Sequence, residues 1–156
     1  MRLLVVGIDG ASPLLIDKWI ANLSTFKRFK EEGTLGLSIP PTPAQTPVAW
    51  TTFMTGKNPG KHGIFSFAMR RPGTYERRII SPMLIKSKTL WRILSEHGKR
   101  VGIINVPMST YEDIKGFMMP GFVSRHEGVA HPPKVRRKIR DRFGIEKVAG
   151  DLETEV

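Results

Sequence analysis

Residues 3–10, LLVVGIDG, decide the fold class, because six residues without a charged side chain run directly into Asp9 and Gly10. A continuous apolar run, unlike an alternating one, suits a strand buried on both faces of a parallel sheet. Residues 3–8 are therefore read as the first strand. Ser12-Pro13 follows as a helix entry, with the hydroxyl at the N-cap and proline at the first helical position. Leu14, Leu15, Lys18, Trp19 and Leu23 continue at helical spacing. A second helical stretch opens near Ser24 and closes at Gly33.

Further along, residues 34–39 read as a short strand, and Pro40, Pro41 and Pro43 impose an extended loop. Thr46-Pro47 repeats the cap-then-proline signal. Val48 to Thr55 supplies about two turns, and Gly56 is the natural residue to end them in the left-handed conformation. A loop through Lys57, Asn58, Pro59 and Gly60 leads to His62. Residues 74–81 read as an edge strand, and Ser87 as the cap of a helix holding Leu90, Trp91, Ile93 and Leu94 and ending at Gly98. Residues 101–106 form a second buried strand and 117–119 a further short one. Trp19, Trp50 and Trp91 lie on apolar helical faces and are assigned to the core. Strands alternating with helices predict an α/β fold, a mostly parallel sheet flanked by helices.

A chain of 156 residues suits a single domain with one sizeable core, so residues 1–156 are expected to form one α/β domain. Residues 132–156, set off by Pro132-Pro133, form a basic, helical C-terminal tail, and residues 150–156 hold no element that would close a domain. There is no cysteine, which excludes disulfides, thiolate catalysis and thiolate metal sites and leaves oxygen and imidazole as metal ligands. The six residues before Asp9 are too few for a secretory core or a membrane span, so a cytoplasmic protein with no membrane span is expected. A formal charge of +11 attracts polyanions, whether nucleic acid, acidic lipid or a phosphorylated substrate. Much of the excess lies between Lys134 and Lys147, where the absence of interleaved aromatics favours a solvated helix face over a nucleic-acid patch. The alternative function that this charge allows is a basic α/β module that binds nucleic acid or another polyanion without catalysis.

Two residues could carry chemistry. Asp9 lies where the first strand gives way to a loop, and open α/β sheets bind ligands outside the carboxyl ends of their strands, so its carboxylate is a candidate ligand for a hard metal. The competing assignment is a simple Asp-Gly turn. Thr46 opens a helix whose free N–H groups and dipole favour an anion, placing a hydroxyl beside a bound phosphate. Its competing assignment is a structural cap.

The strand ending VVGIDG and the stretch QTPVAWTTFMTGKNPGKHGI resemble the N-terminal part of the type I phosphodiesterase/nucleotide pyrophosphatase family, within the alkaline phosphatase superfamily. The spacing of Thr46, Gly56 and the HGI of His62 to Ile64 carries the likeness. Asn105-Val106-Pro107-Met108 and Gly121-Phe122 add to it. The resemblance implies a partial alkaline-phosphatase-like core and a phosphate-ester or nucleotide substrate. It also implies two divalent metal ions, zinc or else manganese. By the same resemblance Asp9 is a ligand of one metal, and Thr46 is both a ligand and the nucleophile of a covalent phospho-enzyme. His62 is structural in this pattern.

The chain departs from the family at two places. Ala49 stands where many nucleotide pyrophosphatases have an asparagine that contacts the phosphate, and the Asp-x-x-x-His segment, Asp-His pair and further histidine that complete the metals are not found in these residues. His126-Glu127 with His131 is one residue longer than the HExxH motif, which would turn the two rings away from a common helix face. His97 is read as a helix-terminal residue that favours the dipole. The expectation is an N-terminal half-site with weak metal binding and little catalysis of its own, completed by self-association or by a partner chain.

Overall fold

The computed structural model describes residues 2–124 and 129–143. Contacts divide the chain into two units, Met1–Pro40 and Pro41–Val156.

In the first unit, α1 (Pro13–Trp19) runs through a 3-10 turn at Ile20–Asn22, and α2 (Ser24–Glu32) follows. Ser12 occupies the N-cap position of α1, but its hydroxyl makes no capping bond; its carbonyl accepts from the N–H groups of Leu15 and Ile16 instead. Lys30 reaches Asp17 of α1 at 2.8 Å, and Arg28–Glu32 (2.9 Å) is an i,i+4 pair. All four side chains are exposed, where such pairs contribute at most about 1 kcal/mol each. No described residue of this unit is buried.

Two strand assignments fail here. Residues 3–8 and 34–39 hold no regular secondary structure, and Leu3, Leu4, Val5, Val6 and Ile8 are exposed. A run of apolar residues becomes a strand only when its backbone groups find a partner ladder. Neither run pairs with a strand among the described residues. Trp19, assigned to the core, is also about half exposed.

The second unit holds the core. Its elements are α3 (Thr46–Thr55), α4 (Pro59–His62), β1 (Ala68–Arg70), β2 (Arg77–Ile79), a 3-10 turn at Pro82–Leu84, α5 (Leu90–Glu96), β3 (Val101–Ile104), β4 (Gly116–Met119) and α6 (Lys134–Phe143). β1 and β2 form an antiparallel hairpin, of which only β2 falls within the strand expected over residues 74–81, and β3 and β4 pair in parallel, Val101 opposite Gly116. The fold is therefore α/β, with two two-stranded sheets among the described residues. Val48, Met54, Ile64, Ile80, Trp91, Met108 and Met118 form the buried cluster, so α3, α5, β4 and the intervening loops share one core.

α5 begins two residues later than the sequence suggests. Thr89, not Ser87, is its N-cap, its hydroxyl accepting from the Arg92 N–H at 3.3 Å. The same hydroxyl donates to Glu112, which also accepts from the Trp91 indole N–H at 2.6 Å. The nearly buried Glu112 carboxylate thereby ties the start of α5 to the loop that leaves β3. The basic tail is helical over α6; residues 144–156 lie outside the described residues.

Candidate active site

α3 is positioned from both ends. Pro47 and Val48 are fully buried at its start. Along its inner face Thr51 Oγ1 donates to the Pro47 carbonyl and Thr55 Oγ1 to the Thr51 carbonyl, each at 2.6 Å, so two buried hydroxyls are satisfied within the helix. At the far end Gly56 takes the left-handed conformation at φ 63°, as expected. Asn58 then caps α4, accepting from the Lys61 N–H at 3.1 Å. This single turn returns His62 to the flank of α3.

The His62 ring is fully buried. Its Nδ1 accepts from the Ile64 N–H at 3.1 Å, which places the proton on Nε2, and Nε2 donates to Thr52 Oγ1 at 3.0 Å. Burial pushes its pKa below the ordinary value, so the ring is neutral at pH 7. With both nitrogens engaged His62 braces the helix and is not a metal ligand. Thr52 carries no motif, and its spacing to His62 becomes meaningful only once the chain is known to double back after Gly56.

Thr46 is the first residue of α3 and not its cap. The N-cap is Gln45, in extended conformation, and its carbonyl accepts from the Ala49 N–H at 2.9 Å. Thr46 is half-buried, at the end of a helix whose first N–H groups have no partner within the helix. Beside it, Gln45 Oε1 is buried with no hydrogen-bond partner. Ala49, one turn along, offers no side-chain amide.

Asp9 lies in the first unit and Thr46 in the second. Asp9 and Gly10 make a turn, Gly10 at φ 71°, and the Asp9 carboxylate is exposed at its corner. His97 Nδ1 donates to the Ile93 carbonyl at 2.8 Å, the helix-end role expected of it. His131 stacks edge-on against Tyr111, while His126 and Glu127 lie outside the described residues. No group of three or more His, Asp or Glu suited to a metal ion occurs among the described residues.

A family model described as type I phosphodiesterase / nucleotide pyrophosphatase matches residues 3–152. The chain belongs to this family. No curated protein and no solved structure matches it. The match runs through both stretches singled out above and identifies a phosphodiesterase- or nucleotide-pyrophosphatase-like hydrolase. The family implies an alkaline-phosphatase-like fold, acts on phosphate-ester or nucleotide substrates, and is generally metal-dependent. Asp9 and Thr46 offer a carboxylate and a hydroxyl, the oxygen donors that hard cations accept, but two side chains are fewer than the three or four by which protein zinc is typically held.

Proposed function

We propose that this chain contributes the nucleophile and two metal ligands of a phosphodiester hydrolase. Thr46 is the nucleophile, and Asp9 and Thr46 are metal ligands. The observation that supports the reading is the position of Thr46 as the first residue of α3, at the positive end of a helix whose flank is braced by the Thr52–His62 hydrogen bond.

In this reading an anionic phosphodiester settles at the start of α3, where the helix dipole favours its charge. The Thr46 oxygen attacks phosphorus, forming an Oγ–P bond as the bond to the leaving oxygen breaks. The hydroxyl proton leaves to solvent and the departing alkoxide takes one up. Water then cleaves the Oγ–P bond, returning the hydroxyl and releasing a phosphate monoester. Divalent cations, zinc first and manganese second, would lower the pKa of the hydroxyl and offset charge on the phosphoryl oxygens. Ala49 leaves phosphate contact to the backbone and to residues outside these elements.

The remaining ligands come from outside the described residues, supplied by self-association or by a partner chain. The test is hydrolysis of bis(p-nitrophenyl) phosphate with zinc or manganese, by the wild type and by Thr46→Ala. Any metal-dependent turnover should disappear in Thr46→Ala; turnover that survives the substitution would overturn the nucleophile assignment.

A further inference from the structure

The β1–β2 hairpin carries Arg70, Arg71, Arg77 and Arg78 against a single carboxylate, Glu76. Arg71 pairs with Glu76 at 3.6 Å. Arg70, Arg77 and Arg78 have no ion-pair partner among the described residues.

The register sets Arg70 directly opposite Arg77, and Ala68 opposite Ile79 one pair along on the same face. Met69 and Ile80 point the other way and pack on the core. The outer face therefore carries two arginines at directly opposed positions, and like charges directly opposite destabilise a strand pair. The Tyr75 ring lies under the Arg70 guanidinium at 4.9 Å and offsets part of this repulsion. Tyr75 is 90% exposed and Ile79 78% exposed beside these charges.

We propose that this face docks on the surface of an anionic lipid bilayer. Headgroup phosphates would relieve the repulsion between Arg70 and Arg77, and Tyr75 and Ile79 would enter the interfacial region, where an amphipathic ring and an aliphatic side chain are both favoured. Nucleic acid would meet the same charges but fits the rest of the face poorly. Single-strand binding relies on open aromatic platforms; Arg70 already covers one side of Tyr75, and Ile79 offers no π-face. The inference is independent of the hydrolytic role of Thr46.

The test is co-sedimentation with phosphatidylcholine vesicles, with and without phosphatidylglycerol, at low and high salt. The wild type should bind only the anionic vesicles, and less at high salt. Arg70→Gln with Arg77→Gln should lower partitioning on the order of 30-fold. Ile79→Ser, which leaves the charge unchanged, should lower it several-fold. Lys99→Gln with Arg100→Gln removes the same charge from exposed sites elsewhere and should change partitioning by no more than about twofold. Equal losses in the two double variants would reduce the effect to net charge and overturn the proposal. So would failure to bind anionic vesicles, or a hairpin variant that loses only single-stranded oligonucleotide binding.

Discussion

The Nε2–H of His62 donates to Thr52 Oγ1 across 3.0 Å, and this bond joins the turn after Gly56 to the flank of α3. Thr52→Val would leave a buried N–H without a partner, at a cost of about 1–3 kcal/mol. Urea unfolding should register that loss, and Thr52→Ser should recover much of it.

The same ring sets a pH dependence. Its folded pKa lies below the unfolded value of 6.5, so the unfolded chain takes up this proton first as pH falls. The stability it contributes is complete above 6.5, declines as pH drops below that value, and levels off once the folded-state pKa is passed. Unfolding free energies measured across this window should slope downward with acid in the wild type and slope less in His62→Gln.

Glu112 accepts from both Thr89 and Trp91 while only 13% of its side chain is exposed. Glu112→Ala should cost on the order of 3 kcal/mol, because it strands two buried donors. The Trp91 fluorescence should shift to the red as water reaches the indole. Glu112→Gln, which keeps an acceptor, should lose less.

Gly56 and Gly121 call for different penalties. A Cβ on Gly56 would meet no atom within 4 Å, so Gly56→Ala bears only the strain of its positive φ, about 1 kcal/mol. At Gly121 a Cβ would stand 2.6 Å from the Asn105 backbone, where the loop after β4 closes on the loop after β3. Gly121→Ala should therefore destabilise by more than Gly56→Ala in the same unfolding assay.

Zinc binding, followed by calorimetry, should be weak in the wild type and absent in Asp9→Ala. Tight binding that persists in Asp9→Ala would show that other residues form the site.

Elements marked by local chemistry were legible in the sequence. Proline inside the first turn locates α1 and α3, glycine after the last turn locates the ends of α2 and α3, and short apolar runs locate β3 and β4. The run at residues 3–8 is apolar without being a strand, because periodicity reports that a segment is apolar, not whether a ladder awaits it. The sequence puts the cap of α3 one residue late, at Thr46, since Gln45 is an unfavoured residue at that position and its backbone, not its side chain, starts the helix. The Thr52–His62 and Glu112 contacts depend on chain reversal and long-range approach, for which single-sequence patterns have no signal.

The absence of any buried residue among those described before Pro41 bears on how this protein comes apart. Amide hydrogens there should exchange with solvent long before those of α3, and trypsin should cut at Lys27, Arg28 or Lys30 before it reaches the second unit. Digestion would then separate Asp9 from an intact α3, leaving a fragment that still folds around Val48 and Met54 and still displays Thr46, but that has lost the carboxylate assigned to the metal.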